Sequence, residues 1–118
     1  MKIDRSGNTR LVIIFKTFVI KFPTVSRGQF YFLRGCTANL KERYIYLKRK
    51  LRYEHPKVVP TWFCFPFGLF AIQPRCVLLD RFLTEEEKIE FASICNGDDK
   101  KENFGFYKGS LVCLDYGK

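Results

Sequence analysis

The sequence predicts an α+β fold in which antiparallel hairpins accompany one long and one short helix. Apolar runs rich in β-forming residues occur in pairs separated by short turns, as hairpins require. Between the pairs lie two segments with helical periodicity or a helix-start signal. The chain has 118 residues, 47% of them hydrophobic, with 13 Phe, 6 Tyr and 1 Trp. This length and composition predict a single domain, 1–118, with one modest core, and they exclude a low-complexity chain.

The first hairpin is predicted from the apolar runs 11–15 and 18–22, which only Lys16-Thr17 separates. The pattern then becomes helical from about 26 to 53, and Gly35 is the position at which that helix could break. Its second half places four apolar side chains on one face, as in an amphipathic helix: Leu40, Tyr44, Leu47 and Leu51.

A second hairpin is predicted from the runs 61–65 and 69–73, because a Pro/Gly turn at 66–68 separates them. Thr84 and Glu87 match a capping box, so a short helix should begin there and run to about Cys95.

The last hairpin is predicted from two strands, 103–107 and 111–114, with a turn around Gly109. The predicted element order is therefore β-β-α-β-β-α-loop-β-β, without internal repeats.

Charge is unevenly distributed along the chain, whose formal net charge is +9. Residues 1–79 contain 15 basic and 3 acidic side chains, whereas residues 80–118 contain 6 and 9. This asymmetry indicates an acidic protein or a nucleic acid as partner, although a basic helix face can also be simply solvated. The candidate partner-binding residues lie on the long helix: Lys41, Arg43, Lys48, Arg49, Lys50 and Arg52.

Several classes of protein are not expected from this sequence. The longest apolar stretch, 11–22, is interrupted by lysines and is too short to span a bilayer. The N-terminus lacks a signal-peptide pattern, and five widely spaced cysteines are typical of free thiols in a reducing compartment. We therefore expect a cytoplasmic protein without a membrane or zinc association.

The carboxyl-terminal part contains the pattern that is most informative about function. Asp98 and Asn103 are five residues apart, and Asp115-Tyr116-Gly117 follows after a hairpin. This arrangement resembles the catalytic loop and metal-binding turn of the protein kinase and aminoglycoside phosphotransferase superfamily, D-x-x-x-x-N followed by D-F-G. The resemblance implies that Asp98 is a catalytic base and that Asn103 and Asp115 are Mg²⁺ ligands.

Upstream segments extend the resemblance through about 100 residues. Val19-Ile20-Lys21 is similar to the V-A-I-K strand, whose lysine contacts nucleotide phosphates, and 55–60 is similar to the family's H-P-x-I-V segment. The resemblance then implies a kinase N-lobe-like antiparallel sheet with one main helix over 1–79. It also implies that 80–118 hold the short helix and the catalytic hairpin. Gln73 and Arg75 become candidate nucleotide-binding residues at the hinge, with ATP and Mg²⁺ as cofactors.

The sequence also departs from the family pattern. The segment before the first hairpin offers one glycine, Gly7, where a phosphate-binding loop needs two or three, and Asn96 replaces the histidine of H-R-D. Glu42 is the obvious candidate to pair with Lys21, as the family's helix glutamate does, yet it lies about 160–200° around the helix from the apolar stripe, so we expect it to be solvated. The sequence ends one residue after Gly117, before any activation segment.

These features leave three functions open. The first is a short kinase-like protein of the phage or prophage kind, which binds and inhibits a larger host protein or ribonucleoprotein complex without efficient catalysis. The second is an ATP- and Mg²⁺-dependent phosphotransferase that uses Lys21, Asp98, Asn103 and Asp115. The third is a basic nucleic-acid-binding module. The sequence thus leaves open whether the protein is an enzyme, and its departures from the family pattern weigh against catalysis.

Overall fold

The computed structural model describes residues 2–4, 9–54, 57–95 and 100–117, with only the backbone of Cys95. Within these ranges the fold is α+β, with two antiparallel sheets, one main helix and one short helix. The coarse prediction of the fold class is therefore confirmed.

The larger sheet has five strands in the order β1-β2-β3-β5-β4, and all neighbouring strands are antiparallel. The two predicted hairpins form most of it, although the second is shorter than expected. The edge strand β1 was not predicted, because three residues are too few to show an alternating pattern. The strands are β1 Lys2–Asp4, β2 Arg10–Ile14, β3 Phe18–Pro23, β4 Phe63–Cys64 and β5 Ala71–Pro74.

The main helix, α1, runs from Gln29–Arg52 without a break. Gly35 does not interrupt the helix. The absence of a side chain at this position allows the helix to pack closely against Thr9 and Pro23. A Cβ atom on Gly35 would collide with the carbonyl oxygen of Thr9 and lie 2.8 Å from Cα of Pro23. The helix thus approaches the larger sheet closely at this point.

The orientation of α1 differs from the amphipathic prediction. The apolar side chains Leu40, Tyr44, Leu47 and Leu51 are between 41% and 89% exposed, whereas Glu42 is fully buried. The expectation that Glu42 is solvated was therefore wrong. The packed face of α1 consists of small and polar side chains in addition to one tyrosine: Gly35, Cys36, Ala38, Asn39, Glu42 and Tyr46.

The second sheet contains three strands in the order β6-β7-β8, namely Val77–Leu78, Phe104–Tyr107 and Ser110–Cys113. Like β1, the strand β6 is too short to be predicted from alternation. The strands β7 and β8 form the third predicted hairpin. Its turn residues Lys108 and Gly109 both have positive φ.

The short helix, α2, spans Glu85–Cys95. The predicted capping box is confirmed: the Thr84 amide donates to Glu87 Oε1 at 2.9 Å, and the Glu87 amide donates to Thr84 Oγ1 at 3.2 Å. Short 3₁₀ turns occur at Pro66–Gly68 and Lys101–Asn103.

The hydrophobic core lies mainly under the second sheet and α2. It joins the larger sheet through the segment before β4, where Val58 forms a parallel bridge with Cys113. The buried residues of this core are Tyr46, Val58, Val59, Leu79, Leu83, Phe91, Ile94, Phe104, Val112, Cys113 and Tyr116.

No helix among the described residues has the length and apolar character needed to cross a membrane. Of the cysteines whose side chains are described, Cys36 is a buried free thiol, and Cys64 and Cys76 are half-buried free thiols. Cys113 is buried, and its Sγ lies 3.7 Å from the backbone oxygen of Asp115. Burial raises the pKa of the Cys76 thiol to about 11.

Candidate functional site: a buried ionic cluster

A cluster of charged side chains is buried where β2, β3 and α1 meet the segment after β8. Glu42 is at its centre and has no exposed surface. Its Oε1 accepts hydrogen bonds from Arg10 Nη1 at 2.7 Å, Lys21 Nζ at 3.1 Å and Gln73 Nε2 at 3.1 Å. Its Oε2 accepts from Arg10 Nη2 at 2.8 Å and from the amides of Tyr116 and Gly117, both at 3.1 Å. Six donors therefore satisfy one carboxylate.

Arg10 holds two carboxylates at once. Its guanidinium forms a bidentate pair with Glu42, and Nη2 also donates to Asp115 Oδ1 at 2.6 Å. Nη1 reaches Asn39 Oδ1 at 3.2 Å. A planar guanidinium suits this task, because its fork of N–H groups can engage two carboxylates in fixed directions.

Lys21 enters the cluster from the middle of β3. Its Nζ donates to Glu42 and to the backbone oxygen of Leu114, the latter at 2.7 Å, and only 8% of its side chain is exposed. Asn39 fixes the surrounding backbone by donating to the carbonyl oxygens of Lys21 and Gly68. The lysine is thus a buried, paired residue and not one that extends from the sheet edge into water.

The electrostatics of the cluster are dominated by burial and by opposite charges. Burial alone would raise the pKa of Glu42, but the charges of Arg10 and Lys21 outweigh it and lower that pKa to about 2. Burial and the nearby Arg10 guanidinium lower the pKa of Lys21 from its ordinary value, although Glu42 opposes them. Burial also tends to lower the pKa of Arg10, and Glu42 and Asp115 more than offset this effect. Glu42 is therefore a carboxylate at neutral pH.

The turn that follows β8 is fixed by a second group of hydrogen bonds. The Tyr116 hydroxyl donates to the carbonyl oxygen of Val59 at 2.7 Å and lies 2.8 Å from Thr61 Oγ1. Thr61 Oγ1 also accepts from Gln73 Nε2 at 2.9 Å. Burial and the nearby Glu42 carboxylate raise the pKa of Tyr116, so the hydroxyl remains protonated. This network links β5 and the segment before β4 to the turn after β8.

The predicted nucleotide-binding residues are only partly brought together. Lys21 and Gln73 lie within the cluster, and both contact Glu42. Arg75 is exposed and donates instead to the carbonyl oxygen of Phe15 at 3.2 Å, in the loop between β2 and β3.

Asp115 reaches the cluster, whereas Asn103 is the last residue of the 3₁₀ turn before β7. Asn103 is half-buried, and its backbone oxygen accepts from the Leu114 amide at 2.7 Å. The candidate base Asp98 lies outside the described residues, as do Asn96 and the His55-Pro56 pair.

Of the two candidate Mg²⁺ ligands, Asp115 is engaged in an ion pair with Arg10. Mg²⁺ requires oxygen ligands in octahedral geometry, and Asp115 directs one carboxylate oxygen to the Arg10 guanidinium instead. Among the described side chains, no group of three or more His, Cys, Asp or Glu residues is close enough to hold a metal ion. A fixed guanidinium at 2.6 Å from the carboxylate would also repel a divalent cation.

Sequence reasoning missed Arg10, Asn39 and the burial of Glu42. Arg10 is the first residue of β2 and pairs with Pro23 across the hairpin, a position with no distinctive pattern in the sequence. Glu42 carried a weak signal, because it is the only acidic residue within the helix. A single acid among many basic residues is a candidate for a specific pairing.

The basic residues of α1 are partly engaged with the protein itself. Arg43 donates to the carbonyl oxygens of Thr61 and Trp62, and Arg49 stacks over the ring of Tyr53 at 4.8 Å. Exposed basic side chains remain along the helix: Lys41, Lys48, Lys50 and Arg52. Their role in partner binding stays a prediction. A scan against protein-family models and a search of curated proteins gave no match for this sequence.

Proposed function

We propose that this chain is a kinase-like protein that acts by binding and not by catalysis. The proposed role is to inhibit or modulate a larger host protein or ribonucleoprotein complex in the cytoplasm. The chain resembles short kinase-like proteins encoded by phages or prophages, for which such a role is expected. The observation that carries the proposal is the Arg10–Asp115 ion pair at 2.6 Å.

The Lys21–Glu42 pair alone does not distinguish binding from catalysis. Active kinases contain a Lys–Glu pair of this kind while the lysine contacts nucleotide phosphates. The pair therefore supports a kinase-like frame and is compatible with either function.

The ion pair between Arg10 and Asp115 supports binding over catalysis. In a working kinase, the aspartate of D-F-G binds Mg²⁺. Here Asp115, the residue at the corresponding position, is neutralised by a guanidinium that is itself buried and bidentate to Glu42. To release Asp115, the protein would have to leave a buried arginine short of one charged partner, which is unfavourable. The cluster is thus suited to stabilising the fold.

The positive surface supports a role in binding. The net charge is +9, and the acidic side chain of α1, Glu42, is buried, so the exposed charges of this helix are basic. Such a surface favours association with an acidic partner and accelerates encounter with it.

A nucleotide titration tests the proposal. We expect Mg·ATP at millimolar concentration to change the unfolding midpoint by less than about 1 °C, because a ligand stabilises a protein only if it binds the folded state. Asp115→Ala is the matched variant, and Mg²⁺ without nucleotide is the control. A saturable, Mg²⁺-dependent stabilisation that Asp115→Ala removes would contradict the proposal. Transfer of radiolabelled γ-phosphate would then favour the phosphotransferase, the second candidate that the Lys21–Glu42 pair supports.

A salt series separates the proposal from the nucleic-acid module. Protein binding to duplex and single-stranded DNA would fall steeply with salt if phosphate contacts dominated. We expect weak binding to both, without preference for sequence. Tight binding with a steep salt slope would instead establish the nucleic-acid function.

A further inference from the structure

The outward face of α1 carries an apolar stripe with a strict spacing of three and four residues. We call it the outer stripe, and it consists of Phe30, Leu33, Thr37, Leu40, Tyr44, Leu47 and Leu51. Phe30 and Leu33 are 67% and 54% exposed, and the four apolar residues that follow are also exposed. The stripe spans the 22 residues from Phe30 to Leu51, about 32 Å at a rise of about 1.5 Å per residue.

This spacing is the pattern by which one helix packs against another. A three–four repeat aligns side chains into a narrow seam, whose knobs insert into holes on a facing helix. A lipid-bound helix usually has a broader apolar face. The outer stripe therefore has the spacing of a coiled-coil seam, and its apolar side chains are exposed in the described protein.

The charges beside the outer stripe indicate what its partner must carry. Arg34, Lys41 and Lys48 lie along one flank; Lys50 lies along the other, together with Arg43, which also donates to the carbonyl oxygens of Thr61 and Trp62. These are the positions from which charged side chains reach across a helix pair and select a partner. Both flanks are basic, so the facing helix should be acidic on both of its own flanks.

The same charges disfavour a second copy of this chain as the occupant. Whether two copies of α1 met in parallel or in antiparallel orientation, basic flanks would face basic flanks. Like-charge contacts of this kind act against self-association. A nucleic acid would satisfy the charges but would leave the leucine side chains uncovered.

We infer that the outer stripe of α1 binds an amphipathic helix of a partner protein, with leucine-type residues at three–four spacing and Asp or Glu on both flanks. This inference rests on the proposed binding function and identifies the chemistry of its partner. It also explains why the apolar residues of α1 are on the solvent side. The packed side of the helix is already used by Asn39 and Glu42, which hold the ionic cluster.

The test uses the full chain and a synthetic helical peptide of three heptads, with Leu at the seam positions and Glu at both flanks. We expect saturable binding that weakens as salt rises, because the flanking charges are screened. Tyr44→Asp should weaken it about tenfold or more, since it places a charge in the middle of the seam. Ile89→Asp on α2 is the matched control, because Ile89 is 79% exposed and lies away from the stripe. That variant should stay within about twofold of the original affinity.

Three further probes decide between occupants. The same peptide with Lys at its flanks should bind at least about tenfold more weakly. Equal binding of the two peptides, or no binding of the acidic one, would overturn the inference. Preferential binding to anionic phospholipid vesicles, or a dimer that Tyr44→Asp dissociates, would also overturn it. Nucleotide binding, by contrast, would refute the proposed function and leave the peptide result standing.

Discussion

A single carboxylate, Glu42, accounts for much of the local structure. It accepts six hydrogen bonds from two cationic side chains, one amide side chain and two backbone amides. Removing one member of a buried ionic network is costly, because the remaining charges lose their compensation. Here the charges left behind would be those of Arg10 and Lys21.

Glu42→Gln should therefore lower the free energy of unfolding by about 3–5 kcal/mol. The measurement is denaturant unfolding followed by the fluorescence of the single tryptophan, Trp62. Glu90→Gln is the control, because Glu90 forms a half-exposed pair with Lys57 and should cost less than about 1 kcal/mol. Loss of a cooperative transition in Glu42→Gln would agree with the expectation. A change below about 1 kcal/mol would show that the cluster contributes little.

Acid should also weaken the fold through Glu42. Its pKa is about 2 in the folded protein, against an ordinary value of 4.5. The unfolded chain thus binds more protons between these pH values, and the free energy of unfolding falls as the pH drops through this window. This difference between the two pKa values corresponds to about 3 kcal/mol of the free energy of unfolding, and that contribution is fully present above about pH 5.

Denaturant unfolding at a series of pH values measures this loss. Glu87 also has a pKa of about 2, mainly because Arg81 donates hydrogen bonds to it, but it lies at the surface. Glu87→Gln should therefore keep most of the acid sensitivity. If stability were constant between pH 5 and 3, or if Glu87→Gln abolished the loss, Glu42 would not be its source.

At the scale of elements, contact between α1 and the turn before β5 depends on glycine. Gly68 has φ +72°, and a Cβ atom there would collide with the carbonyl group of Cys36 on the helix. Gly68→Ala should destabilise the protein by about 2 kcal/mol or more, as backbone strain and steric overlap combine. Gly109 has a similar φ of +81° with open space around it, so Gly109→Ala should cost only about 1 kcal/mol. Thermal unfolding of both variants provides the comparison, and equal effects would contradict the packing argument.

Local signals in the sequence predicted where the helices and strands lie better than they predicted which faces of those elements are buried. The hairpins and the Thr84 capping box depend on neighbouring residues, and both are present as expected. The buried face of α1 depends instead on partners distant in the chain, since Arg10 and Tyr116 lie 32 and 74 residues from Glu42. The periodicity correctly identified the apolar face of α1, but it could not show that this face is exposed to solvent. The candidate site was therefore predicted in part: Lys21 and Asp115 were found, whereas Arg10, which pairs with Asp115 and Glu42, was not.

At the scale of the whole molecule, the ionic cluster joins parts that are far apart in sequence. Arg10 and Asp115 are separated by 105 positions, and their pair connects β2 of the larger sheet to the turn after β8 of the smaller sheet. The basic first part and the acidic last part of the chain meet at this point. The Arg10–Asp115 pair thus links the two parts inside the protein, while Lys48, Lys50 and Arg52 of α1 are exposed at the surface.

We propose that this cluster stabilises the fold and does not bind nucleotide. An NMR titration of the ¹⁵N-labelled protein with Mg·ATP tests it most directly, because the amides of Tyr116 and Gly117 donate to Glu42 itself. We predict no saturable shift of these two amides or of Lys21 up to millimolar nucleotide. Saturable, Mg²⁺-dependent shifts at all three positions would contradict the account.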